Sequence, residues 1–344
     1  MSTLIVSQIG PASSVQDGGR FGAQRYGLTP SGAMDKLSLA AANSLVGNAL
    51  MAAAIEIGPF GATFTAKGGA VRVALCGAPR PVEVAKRQVD MNTSVTLNEG
   101  EKLALGFARG GSFSYLAIEG GLPGEPMFNS LSVNARAGLG SPYPRPLQAG
   151  DVFDVAPAGQ TPEMQIDVPK LSGPIRVVMG PQDDEFSDEM KALFLRSNWM
   201  VSATSDRMGY RLEGPVISHL HGHNIVSDGT VEGSIQVPGN GSPIVLMSDR
   251  GTSGGYPKIA TVITADFGRL AQTPAGTPFR FQAVGMAEAQ AELRRYKDLM
   301  RSLPGRVTEL VSSDFNIDAL FTANVAGHAV SATDVTTWLG AAPD

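Results

Sequence analysis

Hydrophobic and polar positions alternate with a period of two along most of the chain. From Ala53 onward, AIEI, ATFTA, AVRVALCG, PVEVAK, SVTL, KLALGF and SFSYLAIEG follow one another about every ten residues, with Gly, Pro or Asn between them. Short alternating runs at that interval predict a barrel or sandwich of antiparallel strands. Leu4-Ile5-Val6 predicts an earlier strand, and Asp151 to Val155 a later one. A second series starts at IRVVMGP (175–181). It passes through a strand beginning at Trp199, then SIQV and PIVLM, and ends in IATVITADFGRLAQ and PFRFQAV. Pro238-Gly239-Asn240-Gly241 separates two of these strands as a hairpin turn, because Asn and Gly tolerate positive φ.

Helical spacing is rarer. Met34, Leu37, Ala41 and Leu45 predict a helix over 34–46, with Asp35 or Ser31 as its cap and Asn43 buried and hydrogen-bonded. Asp183 or Asp184 is expected to cap a helix through Phe186, Met190, Leu193 and Phe194. Residues 286–302 form an amphipathic pattern, and the tail beyond Pro304 carries apolar positions at Leu320, Phe321, Val325 and Trp338 that are expected to dock on the body or a partner. Residues 156–172 read as a link between two units. The expected organisation is a mainly β chain with a few helices, in two β-barrel domains at 1–168 and 172–285, followed by a helix and tail at 286–344.

Composition sharpens this picture. Of 344 residues 41 are glycine, and charged residues are 17% of the chain against a usual ~25%. The net charge is −5 with no basic stripe, which argues against nucleic acid. One cysteine, Cys76, rules out an internal disulfide framework, fits a reducing compartment and reads as a buried structural thiol. The N-terminus lacks a basic segment followed by an apolar run, and no stretch is long and apolar enough to span a membrane, so a cytoplasmic protein is expected.

Candidate chemistry concentrates in three places. Residues 10–32 form a long Gly/Ser/Pro loop carrying Gln16, Asp17 and Arg20, which can serve a site or simply pair Asp17 with Arg20. The cluster at 205–215 offers Ser205, Asp206, Arg207 and Arg211, whose guanidinium forks suit a carboxylate, a phosphate or a polarised carbonyl, or can be satisfied by Asp206 and Glu213. Glycine-rich loops at 227–258 frame Glu232, Gln236, Asp249, Thr252 and Lys258. Glu56 alternates with Ile55 and Ile57, so it faces either solvent or a cleft. His219, His221 and His223 lack partners at recognised zinc spacing, so no metal is expected. No G-x-S-x-G elbow, H-E-x-x-H or phosphate-cradling Walker loop is present. The residues describe glycine-framed loops from two β domains that bind and polarise a small polar ligand, and they do not name the reaction.

The runs SVQDGGRFGAQRYGLTPSGAMD (14–35), AANSLVGN (41–48), SDRMGYRLEGP (205–215), 227–258 and AQTPAG (271–276) closely resemble the biotin-dependent carboxyltransferase-like family, which includes the PxpC/KipA component of 5-oxoprolinase and the second subunit of allophanate hydrolase. The resemblance implies paired cyclophilin-like β-barrels, a KipI/PxpB-like protein and a LamB/YcsF-type protein as partner subunits, and ATP-dependent opening of 5-oxoproline to glutamate. On it, Asp17, Arg20, Asp206, Arg207, Arg211 and Lys258 are expected in catalysis. Gln16, Asp35, Ser205, Glu232, Gln236, Asp249 and Thr252 are expected to hold a small amide or lactam. ATP would act together with the partner subunits. The alternatives are carboxyl transfer from carboxybiotin to a urea-like acceptor, with biotin carried on another protein, and a non-catalytic partner of a KipI-like kinase inhibitor. The run FNSLSVNARAGLG (128–140) departs from the family's usual Gly-Ser-x-Ser-Thr. One spatial expectation joins these readings: Arg20, Arg207 and Lys258 meet at a shared cleft.

Overall fold

The computed structural model describes residues 2–310. The predicted alternation builds three large sheets. A six-stranded and a seven-stranded sheet use the chain up to Ile166, the latter completed by Val307–Glu309, and an eight-stranded sheet uses 175–283. The mainly β class with a few helices is thus borne out, the helices being α1 (Lys36–Leu45), α2 (Asp188–Arg196), α3 (Thr264–Ala271) and α4 (Met286–Ser302).

In the first half, the strand Ser2–Ile9 pairs antiparallel with both Ala62–Lys67 and Val152–Val155. Facing it, Ser114–Ile118 lies between Ala54–Ile57 and Val71–Gly77. Leu4, Phe64, Phe153, Ile55, Leu116 and Val73 fill the space between these sheets. Burial of such side chains is worth roughly 1.5–3 kcal/mol each and drives the two sheets together.

The second core sits behind the eight-stranded sheet. Tyr210, Val245, Ile235 and Ala260 form one row across four neighbouring strands and face inward. Phe194 of α2 stacks on Phe281 at 4.8 Å and tilts against Trp199 at 5.7 Å. The same core continues into Leu39 and Ala42 of α1, so one apolar body joins both halves. Asn43 is buried as expected and donates to Leu50 O and Ala52 O.

Three local expectations change. Ser187, not Asp183 or Asp184, caps α2, because Asp183–Glu185 close a separate 3₁₀ turn first. The link 156–172 contributes the strand Met164–Ile166, which pairs with Thr93 and with Val307–Glu309. α4 packs Tyr296, Leu299 and Met300 on the shared core, so the chain through Glu309 folds back onto the body. The tail positions Leu320, Phe321, Val325 and Trp338 lie outside the described residues. No helix among the described residues is long and apolar enough to cross a membrane.

Phe194 is fully buried between two aromatic partners. Phe194→Ala is expected to lower the unfolding free energy by about 3–5 kcal/mol in chemical denaturation followed by circular dichroism. A change below about 1 kcal/mol would mean that the site collapses onto α2 without leaving a cavity.

Candidate functional site

The loop at 10–32 is built around two glycines whose backbones touch. Gly19 and Gly32 both have positive φ, and a Cβ on Gly32 would come within 2.9 Å of Gly19 Cα. This contact folds the loop onto itself, with Arg20 N donating to Pro30 O at 2.7 Å. Asp17 anchors a second loop there. Its carboxylate accepts from Gly19 N, Ser130 Oγ, Ser132 Oγ and Leu131 N at 2.5–2.8 Å. The divergent run 128–140 is therefore wrapped around Asp17. The Asp17–Arg20 pair is replaced by these donors, and Arg20 donates to Ser132 O instead. Gln16 reaches the same loop through Val133 O at 3.0 Å. Arg20 is fully buried, with Nε and Nη1 unpartnered. Burial pushes its guanidinium down, while Asp17 and Asp249 pull it back up.

Between the halves lies an ion bridge. Glu56, on the strand Ala54–Ile57, is fully buried and faces Arg207. Its carboxylate also accepts from Tyr115 Oη at 2.7 Å and Met34 N at 2.8 Å. Arg207 Nε donates to Asp249 at 2.9 Å, and Nη2 to Gly32 O at 2.7 Å. Burial works against the Arg207 cation, but Asp249 and Glu56 together outweigh it and hold it above its ordinary value. Burial raises the Glu56 carboxyl, opposed by Arg207, Met34 N–H and Tyr115. The fork of Arg207 is thus committed inside the protein. It does not pair with Asp206, which accepts from Met208 N and Gly209 N and meets Arg136 at 3.5 Å on the surface.

The other expected residues separate into two places. Arg211, Ile244 and Gln236 are register partners across three strands of the eight-stranded sheet, on the face opposite its core row, and a bulge after Ile235 sets Gln236 against Lys258 on the fourth. A cavity of 250 Å³ opens on this face, lined by Arg211, Gln236, Asp206, Ser253, Thr204 and Arg136 from the divergent loop. Gln236 Oε1 is buried there with no donor among the described residues. Ser205 borders it and accepts from Arg211 N at 3.0 Å. Lys258 lines neither cavity described. It is 2% exposed, and its Nζ stands 3.2 Å from Asp228 without hydrogen-bond alignment. Lys258, Gly229 N–H and Gln182 hold the Asp228 carboxyl below its ordinary range.

The second cavity, 630 Å³, lies between the long loop, the strands Ile175–Met179 and Lys258–Val262, α3 and α4. Glu232 belongs here, paired with Lys36 at 3.1 Å. Asp35 caps α1 through Leu37 N and Ser38 N and receives Gln272 Nε2 at 3.0 Å. Thr252 O accepts from Thr230 N at 3.1 Å, closing the loop at 249–255. The expected single cleft is thus divided. Arg20 and Arg207 share Asp249 as a charge neighbour, but Lys258 stands apart, beside Asp228.

Sequence reasoning left Glu56 undecided and passed over Tyr115, Ser130, Ser132, Arg136 and Gln272. An acid inside the apolar run AIEI was the one signal available for Glu56, since a charge among buried strand residues needs a partner. Cys76 is buried as expected, and burial pushes its thiol up.

Residues 26–283 match the family model described as carboxyltransferase domain, subdomain A and B. Over 290 residues the chain is 36% identical to the C subunit of Escherichia coli 5-oxoprolinase, covering 83% of this chain and 93% of that protein. Over 315 residues it is 28% identical to a putative urea carboxylase of Emericella nidulans, covering 83% of this chain and 25% of that one. The solved K. lactis urea amidolyase superposes with a TM-score of 0.81 at 26% identity, over 91% of this chain and 20% of that one.

Removing Arg207 leaves two acids facing each other across the join. Arg207→Ala is expected to cost about 3–5 kcal/mol of stability, and the Glu56→Ala/Arg207→Ala double variant less than the sum of the single losses. Additive losses in a denaturation double-mutant cycle would show that the two side chains do not act as a pair.

Proposed function

The chain belongs to the carboxyltransferase domain, subdomain A and B, family, and from that premise we propose that it is the counterpart of the C subunit in an ATP-dependent 5-oxoprolinase. The observation that carries the reading to a site is the 250 Å³ polar cavity, with the Arg211 fork at its edge and an unpartnered buried acceptor, Gln236 Oε1, in its wall. 5-Oxoproline offers the complementary groups. Its carboxylate matches a guanidinium, and its lactam N–H is a donor for Gln236. Arg136 lines the same volume, its charge offset by Asp206 at 3.5 Å, so Arg211 is the cation left for the carboxylate.

The chemistry divides between binding and activation. ATP, together with residues of partner subunits, phosphorylates the lactam carbonyl oxygen. Water then adds at that carbon, the ring C–N bond breaks with the electron pair and a proton going to nitrogen, and a second water releases phosphate. Glutamate, ADP and phosphate balance the substrates. This chain's part is to hold the carboxylate at Arg211 and the lactam nitrogen at Gln236, so the carbonyl points toward the open side where a partner docks. A KipI/PxpB-like protein and a LamB/YcsF-type protein are the partner subunits this assignment calls for.

Carboxyl transfer to a urea-like acceptor is the second reading, supported by the likeness to the urea carboxylase and urea amidolyase relatives. The cavity's cationic edge favours an anionic substrate over neutral urea, which has no carboxylate for Arg211 to hold.

The deciding assay is turnover of the chain co-purified with its partner subunits. 5-Oxoproline-dependent ATP hydrolysis supports the proposal, and consumption of carboxybiotin only with urea overturns it. In the active complex Arg211→Ala is expected to raise KM for 5-oxoproline by about tenfold, with a smaller effect on kcat. An unchanged KM would remove Arg211 from the site.

A further inference from the structure

The 630 Å³ cavity lies apart from the polar cavity assigned to 5-oxoproline, and it holds a more unusual group. Arg250 is 4% exposed and lines it. Its Nε is buried with no partner, and among the described residues its guanidinium forms no ion pair or side-chain hydrogen bond. Burial pushes this cation below its ordinary value, and Glu232 only partly counters that. A buried, unpaired guanidinium is costly and is normally retained where something binds it. Arg20 is as deeply buried but lines neither cavity, so Arg250 is the case that points to a ligand.

The rest of the wall defines that ligand. Lys36 and Glu232 neutralise each other, so the cavity carries one uncompensated positive charge. A triphosphate would bring several negative charges to that single cation. A carboxylate brings one, in a plane that fits the fork with two parallel hydrogen bonds. Val178, Met179, Ile263, Phe267, Met286 and Leu293 make most of the remaining surface apolar. The volume falls within the range of small-molecule sites. We propose that this cavity is a second binding site, for a monocarboxylate with an apolar tail, whose carboxylate is held by Arg250. It does not rest on the 5-oxoprolinase reading, because neither Arg250 nor α4 belongs to the polar cavity.

Isothermal titration of the full chain with butanoate, hexanoate, octanoate and 1-hexanol tests this. Affinity is expected to rise about fourfold per added methylene, as the tail enters the apolar wall. Hexanoate is expected to bind at least tenfold more tightly than 1-hexanol, and Arg250→Gln to remove at least tenfold of hexanoate affinity. Equal binding of acid and alcohol, or wild-type affinity in Arg250→Gln, overturns the site. If Arg250→Gln does not fold, Leu293→Trp, which fills the cavity from α4, carries the test. It is expected to weaken octanoate at least tenfold, and unchanged affinity there overturns the proposal. Binding is read on the isolated chain, so failure of 5-oxoproline turnover in the reconstituted complex would leave this result standing.

Discussion

The Glu56–Arg207–Asp249 bridge is the interaction on which the rest of the arrangement depends. Its members come from a strand of the first half and two loops of the second, and Tyr115 and Met34 N supply the remaining donors. A buried ion pair contributes little net stability over an apolar contact, but removing one member leaves an uncompensated charge. What it supplies is register. Arg207 also donates to Gly32 O, so the same guanidinium that aligns the two halves pins the long loop whose glycines fold around it. Asp17 continues the chain of contacts to Ser130 and Ser132, which carries the divergent loop 128–140 to the edge of the polar cavity. Arg136 reaches that cavity only because this loop is tied down at its base.

The two cavities differ for a reason that lies in the eight-stranded sheet. Alternation sends Tyr210, Val245 and Ile235 to the core, and their neighbours Arg211, Ile244 and Gln236 to the opposite face, while a bulge after Ile235 breaks the period on the next strand and sets Lys258 against Gln236. The outer face is therefore polar by the same period that makes the inner face apolar, and a small polar cavity forms there. Farther along the sheet, Val178, Met179 and Val262 of the adjacent strands Ile175–Met179 and Lys258–Val262 meet α3 and α4, whose apolar stripes leave a larger and mostly apolar space. Cations occur in both places under different conditions. Arg211 is exposed at a rim, whereas Arg250 is enclosed.

Much of this was legible in the chain. Period-two runs located most of the long strands but not Gly209–Glu213, Pro238–Gly241 turns as expected with Gly241 at positive φ, and Asp35 takes the capping role foreseen as one of its alternatives. Burial, by contrast, depends on what lies across a gap, and sequence spacing does not encode that. Arg207 and Arg211 lie four apart and were read together, yet one is a buried strut and the other a rim donor. Arg207 sits in the turn before the strand Gly209–Glu213 and bends toward the first half, while Arg211 follows the strand's outer face. Lys258 and Glu232 share a glycine-rich segment but reach different surfaces, because the hairpin at 238–241 and the loop at 249–255 reverse the chain between them. Ser130 and Ser132 were hidden for the opposite reason: hydroxyls in an irregular run have no period, and only the carboxylate of Asp17 makes them a site.

Asp249 shows how one side chain can couple these levels. It lies next to Arg250 in sequence, yet the two point to different environments. Asp249 turns inward to Arg207, while Arg250 enters the apolar cavity with no acid of its own among the described residues. Had Asp249 paired with its neighbour, Arg207 would face Glu56 alone and the cavity would be electrically neutral. The chain instead uses its acid to close the join between the halves and leaves a cation uncompensated beside α4. A protein that bound nothing there would gain by replacing Arg250 with an apolar residue of similar volume, since isolated buried charges are among the costliest groups to keep. The fold's own alignment device and its unpaired guanidinium are therefore linked through a single peptide bond.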